Sequence, residues 1–193
     1  MSKLLRKTRS FLAFCYLHSP FFSEERYFRF PVGILKHEME GKASFEIIHI
    51  GSQKRFPRAL WEKICKQRRV GNITVVENWE TSRGLPKNFY DFAYVDDGHS
   101  YSATRSDILH ASELLHEGGV LAGDDLELSM DEVDARLTEQ CREDNHCKDP
   151  RSGMEYHPGV TFAIGEILGN SFSRDRAFWA ARRMQNGWGK YGQ

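Results

Sequence analysis

At 193 residues, with 40% hydrophobic and 28% charged side chains, the chain can build one domain with a sizeable core and is too apolar to be disordered as a whole. Lysine plus arginine and aspartate plus glutamate balance at 27 each and the pI is about 7.1, which excludes a global positive field for nucleic acid or an acidic membrane. A small-molecule partner is therefore the expectation. The four cysteines form no C-x-x-C pair, and a chain of this length needs no disulfides, so reduced thiols in a cytoplasmic setting are expected. No apolar run approaches the roughly 20 residues of a membrane span.

Taken in order, Lys3, Arg6, Lys7 and Arg9 precede the apolar residues 11–17, with no acid before Glu24. An amphipathic helix packed on the domain is favoured there over a targeting segment, because the apolar part is short and lacks a small-residue cleavage site. Residues 20–41 carry Pro20, Pro31, Gly33 and Gly41 around an aromatic run, which predicts a short strand or an irregular connection. Residues 1–44 are accordingly set apart from a main α/β domain at 45–185. Residues 45–50 read as a strand stopped by Gly51, and Pro57 opens a helix whose basic end suits a helix C-terminus better than a phosphate or RNA patch.

Strands are predicted at 72–77, 90–95 and 120–124, with a helix between the last two showing Ile108, Ala111 and Leu115 at helical spacing. Gly118 and Gly119 are placed as a left-handed cap. A surface helix at 131–141 leads into a loop in which Cys141, His146 and Cys147 suggest a metal knuckle; without a fourth ligand, a polar loop is preferred. His157-Pro-Gly opens a helix to residue 168, residues 177–181 form a last strand, and the glycines of 186–193 predict a mobile tail. Strands alternating with helices give a three-layer αβα sandwich with a mostly parallel sheet.

In such sheets ligands bind beyond the carboxyl ends of the strands, where Asp96, Asp97, His99, Asp124 and Asp125 would project. Carboxylates that converge repel unless a cation intervenes, so Asp96, Asp124 and Asp125 are candidate ligands for Mg²⁺ or another divalent ion. Asp97 and Asp125 serve equally well as turn or capping residues. His99 suits a general base on a hydroxyl, with helix capping as its alternative. His157 is first a turn residue and second a lining of the substrate mouth.

The string at 92–101, the Gly-Asp-Asp turn at 123–125, His157-Pro-Gly-Val160 and Phe178-Trp179 together resemble class I S-adenosylmethionine-dependent methyltransferases. More narrowly they resemble the group whose fourth strand ends in Asp-x-x-His-Ser-Tyr, alongside macrocin-type sugar O-methyltransferases. The resemblance covers roughly 45–183. It implies a Rossmann-like fold, S-adenosylmethionine as cofactor, a small-molecule hydroxyl (a sugar among them) as acceptor, and divalent-metal help. It also implies Asp96 and His99 as catalytic residues, with Asp96 touching the cofactor. A homo-oligomer is compatible with it.

No G-x-G-x-G follows any strand, and two registers are open. In one, 45–50 is the family's first strand, Gly51 the remnant of its glycine turn, and Glu77 the ribose-binding acid. In the other, which crossover length favours, 45–50 is the second strand, and residues 1–44 supply a degenerate or missing first strand, so the fold is truncated in its N-terminal half. Asn78 and Trp79 would then lie on the adenine side. A non-catalytic, degenerate methyltransferase fold acting as a binding module is the alternative from another class, and metal-dependent hydrolysis at the aspartate cluster is a third.

Overall fold

The protein is described from a computed structural model covering residues 28–51, 57–68, 71–77, 79 and 84–192. The first half runs α1 (Arg29–Glu38), β1 (Glu46–Gly51), α2 (Pro57–Arg68), β2 (Asn72–Val76), β3 (Tyr90–Asp96), α3 (Tyr101–Leu114) and β4 (Leu115–Gly123). The second half adds α4 (Ala135–Gln140), a small hairpin of β5 (Cys147–Lys148) and β6 (Glu155–Tyr156), α5 (Pro158–Leu168), β7 (Ser173–Asp175), β8 (Phe178–Met184) and β9 (Gly187–Lys190). The main sheet has the order β2-β1-β3-β4-β8-β7, with β9 also paired to β8. Strands β2, β1, β3 and β4 are parallel, and β8 joins them antiparallel.

Alternation along each strand builds two cores, one on each face. Ile47, Phe92, Tyr94, Val120 and Ala122 point toward Val32 and Leu35 of α1 and Trp61 and Ile64 of α2. Ile48, Ile50, Ala93, Val95 and Leu121 point toward Ile108 and Ala111 of α3 and Val160 and Ile164 of α5. A sheet covered on both faces needs apolar residues at consecutive positions, which is why β1 and β3 read as unbroken hydrophobic runs. The chain is thus the expected three-layer αβα sandwich.

Four sequence expectations need correction. Residues 29–38 form a helix rather than a strand or irregular connection: Pro31 falls in the first turn, where its missing N–H is harmless, and Val32, Ile34 and Leu35 are buried. Within the terminal segment, expected without regular structure, Gly187–Lys190 forms a strand paired along β8 from Lys190↔Ala181 to Gly187↔Met184. Arg182 of β8 further bridges Glu38 of α1 at 2.7 Å, and Tyr191 donates to the same carboxylate at 3.2 Å. Burial would raise the Glu38 carboxyl, but the Arg182 hydrogen bond and charge outweigh it and hold the group below its ordinary value. Third, Gly118 has φ +86 but lies within β4, so α3 passes directly into the strand without a glycine cap.

The fourth correction concerns strand order. β1 pairs directly with β3, Ile47 opposite Phe92 through Gly51 opposite Asp96, leaving no place between them for a strand from residues 1–44. Residues 45–50 therefore occupy the first-strand position, and the register that crossover length favoured is wrong. The chain turns outward from β1 to β2 and then crosses to the other side of β1 to form β3. That reversal puts a topological switch point at the carboxyl ends of β1 and β3, the crevice where open α/β sheets bind ligands.

Candidate functional site

Gly51 closes β1 with φ +141, and a Cβ there would lie 2.0 Å from the Asp96 carbonyl oxygen. Only glycine allows the two strand ends to approach this closely. Asp96, 6% exposed, ends β3 beside it. Beyond β3 the chain turns through Asp97 and Gly98 to His99, and Ser100 caps α3 by accepting from the Ala103 N–H at 3.3 Å. Thr104 ties the turn down by donating to the Gly98 carbonyl at 3.0 Å. Capping thus falls to Ser100, which leaves the His99 ring for the site.

On the neighbouring strand, Gly123 sits against the Trp179 indole of β8, whose Nε1–H donates to the Asp124 carbonyl at 3.1 Å. Asp125 follows with φ +60, a left-handed conformation that aspartate tolerates better than most residues. Its carboxylate meets His99 Nε2 at 2.8 Å, while His99 Nδ1 meets the Asn145 side-chain oxygen at 2.8 Å. Asp96, Asp124, Asp125 and His99 do share one small pocket, together with Thr104, Val160 and Trp179. Its volume of about 10 Å³ admits one water-sized group.

Asp96, Asp124 and Asp125, the carboxylates expected to hold an ion, line this pocket together. Among the described residues, the group whose ligand atoms all lie within 4.8 Å of one another is His99, Asp125 and His157. Asp96 and Asp124 line the same pocket but do not belong to that group. Asp125 reaches that group because its left-handed turn aims its carboxylate at the His99 ring.

His157, read first as a turn residue, belongs to this cluster. It precedes α5, and Gly159 lies so close to the 99–101 backbone that a Cβ would be 2.3 Å from both the His99 carbonyl oxygen and the Tyr101 nitrogen. The His157 and His99 rings are 4.3 Å apart between centroids, and His146 lies 4.5 Å from His157. Glu127 fixes His157 twice, accepting from its backbone N–H at 3.2 Å and contacting Nδ1 at 2.9 Å. Burial, followed by the charges of His157 and His99, lowers the His146 imidazole below its ordinary value. Asn145 and Glu127 escaped the sequence reading, and His146 was weighed only with Cys141 and Cys147 as a metal knuckle in a run preferred as a polar loop.

Asn78 lies outside the described residues. Trp79, expected near adenine, donates its Nε1–H to Asp107 at 2.6 Å and stacks on His110 of α3 at 4.6 Å. Burial raises the Asp107 carboxyl from 3.8 to about 6, helped by the nearby Asp97 charge and opposed by the Trp79 hydrogen bond. The folded chain therefore holds this proton more tightly than the unfolded chain. The stability it contributes is complete below about pH 4 and is lost as pH rises through about 6. Asp107→Asn is expected to remove that loss and stabilise the protein at pH 7.5 by about 2 kcal/mol. Denaturant titrations at pH 4 and 7.5 check this, and an equal effect at both values would overturn it.

A family model described as a methyltransferase domain matches residues 25–126, more than half of the chain. No curated protein matches the sequence. Among solved structures, an O-methyltransferase family protein from Burkholderia thailandensis is 14% identical, covering 83% of this chain and 57% of its own, at a TM-score of 0.44. This chain thus spans little more than half of that protein. An O-methyltransferase from Bacillus cereus, in complex with SAH, is 13% identical, covering 95% of this chain and 92% of its own, at 0.45. TomG from Streptomyces achromogenes, an O-methyltransferase of tomaymycin synthesis in complex with SAM, is 13% identical, covering 95% and 100%, at 0.43. No helix among the described residues is long and apolar enough to cross a membrane. With a switch-point crevice at Gly51 and Asp96, and a family match running from before β1 to the end of the Gly-Asp-Asp turn, the chain belongs to the methyltransferase-domain family.

Proposed function

We propose that this protein transfers a methyl group from S-adenosylmethionine to a hydroxyl of a small molecule, with a sugar hydroxyl as the acceptor class its motifs imply. The observation that carries the reading is the paired ends of β1 and β3, Gly51 opposite Asp96, at the switch point of a chain in the methyltransferase-domain family. Of the described residues, Asp96 and Glu77, the latter immediately after β2 on the same edge, would hold the donor. Glu77 takes the ribose role because β1 is the first strand of the family's order. The donor supplies an electrophilic methyl on a sulfonium, so the protein's tasks are to align an acceptor oxygen and to remove its proton.

His99 with Asp125 is the pair suited to that removal. Asp125 holds Nε2, and Nδ1, now turned to Asn145, is the nitrogen that can exchange this partner for an acceptor hydroxyl. Calorimetric titration of the full chain with S-adenosylmethionine, with and without Mg²⁺, tests the reading. Saturable binding of one equivalent is expected, weakened by Glu77→Ala and independent of Mg²⁺. No binding in either condition would sink the enzyme reading and leave the fold standing.

A further inference from the structure

Three side chains from three separate elements meet beside the switch point: His99 after β3, Asp125 after β4 and His157 ahead of α5, with ligand atoms within 4.8 Å of one another. Each is fixed by an independent device. Gly159 lets α5 touch the His99 turn, the Trp179 indole supports the Asp125 turn, and Glu127 grips His157 at both its backbone N–H and Nδ1. A carboxylate on the far ring nitrogen is how proteins fix the tautomer and aim of a metal-binding histidine. With Nδ1 held by Glu127, Nε2 is the nitrogen that His157 offers.

The donor set also selects the ion. Two imidazoles and one carboxylate suit zinc, iron, cobalt or nickel, whereas Mg²⁺ prefers oxygen alone. Ligands bonded at about 2.0–2.1 Å to one centre lie roughly 2.9–3.4 Å apart. The 2.8 Å separation of His99 Nε2 and Asp125 is already close to that spacing.

We infer that His99, Asp125 and His157 bind one divalent transition-metal cation of the Zn²⁺ class through two imidazole nitrogens and a carboxylate oxygen. The site goes beyond methyl transfer and does not depend on it, since neither donor nor acceptor enters the coordination. A neutral imidazole that gives Nε2 to a metal carries its proton on Nδ1, the nitrogen proposed as base, so metal loading turns His99 from proton acceptor into ligand.

The test is uptake of Zn²⁺ and Co²⁺ by the full chain after chelator treatment, in the presence of millimolar Mg²⁺. One equivalent of either ion is expected, with Co²⁺ giving visible d–d bands and no near-ultraviolet thiolate band. His157→Ala and His99→Ala should each weaken uptake at least about 100-fold, and Glu127→Gln about 10- to 100-fold. Cys147→Ser should leave it unchanged. No uptake, a thiolate band, or undiminished uptake by a folded His157→Ala chain would each overturn the inference. If an alanine variant does not fold, the Co²⁺ spectrum of the unaltered chain still decides. Failed metal uptake with intact S-adenosylmethionine binding would remove this site alone.

Discussion

Gly159→Ala is expected to lower the thermal midpoint by roughly 6–12 °C, from a cost of about 3 kcal/mol or more. The added Cβ would meet the His99 carbonyl oxygen and the Tyr101 nitrogen at 2.3 Å and the Ser100 carbonyl carbon at 2.5 Å. These are backbone atoms at the start of α3, so no side chain can swing aside, and α5 must retreat from the turn. Retreat loosens Val160 and Ile164 from the core they share with Ile108 and Ala111. It also carries His157 away from His99, now 4.3 Å apart between ring centroids. Loss of stability should therefore be accompanied by loss of transition-metal uptake. A melting curve superimposable on that of the unaltered chain would show that α5 does not pack this tightly.

Gly51→Ala is expected to cost about 4 kcal/mol, because two penalties coincide there. At φ +141 alanine is strained, and its Cβ would stand 2.0 Å from the Asp96 carbonyl oxygen, within the β1–β3 ladder itself. The strand ends must separate, and they separate where the methyl donor is proposed to lie. Binding of S-adenosylmethionine should fall further than the folded fraction does, which calorimetry at a temperature where the variant is still folded can measure. Gly33→Ala is the matched control: it lies in α1 with nothing within 4 Å of the added carbon, and is expected to stabilise the helix by about 0.5–1 kcal/mol. If the two variants melt alike, the close approach at Gly51 is not what the strand ends require.

These two glycines also mark the boundary of what local sequence discloses. The strand at Tyr90–Asp96, the helix after it and the run into Gly123 were legible, because burial on both faces demands unbroken apolar residues and a covering helix demands its own spacing. Helix α1 was obscured by Pro31 and Gly33, which signal a loop until Pro31 is known to occupy the first turn. Neither β7 nor β9 carried a local signal, since short antiparallel edge strands are held by pairing with β8 rather than by their own composition.

The sequence by itself determined the αβα class, the positions of the central strands and the gathering of Asp96, His99, Asp124 and Asp125 at one edge of the sheet. Crossover lengths pointed to the wrong strand order, and only the hydrogen-bonded pairing of β1 with β3 decided it. That pairing puts the switch point at Gly51 and Asp96. Likewise the sequence grouped three carboxylates, and only the tertiary structure brought His157 up to His99 and Asp125 beside them. The physical reason is the same in both cases. Periodicity and turn chemistry act over a few residues, while strand order and side-chain convergence are fixed by contacts between segments far apart in the chain.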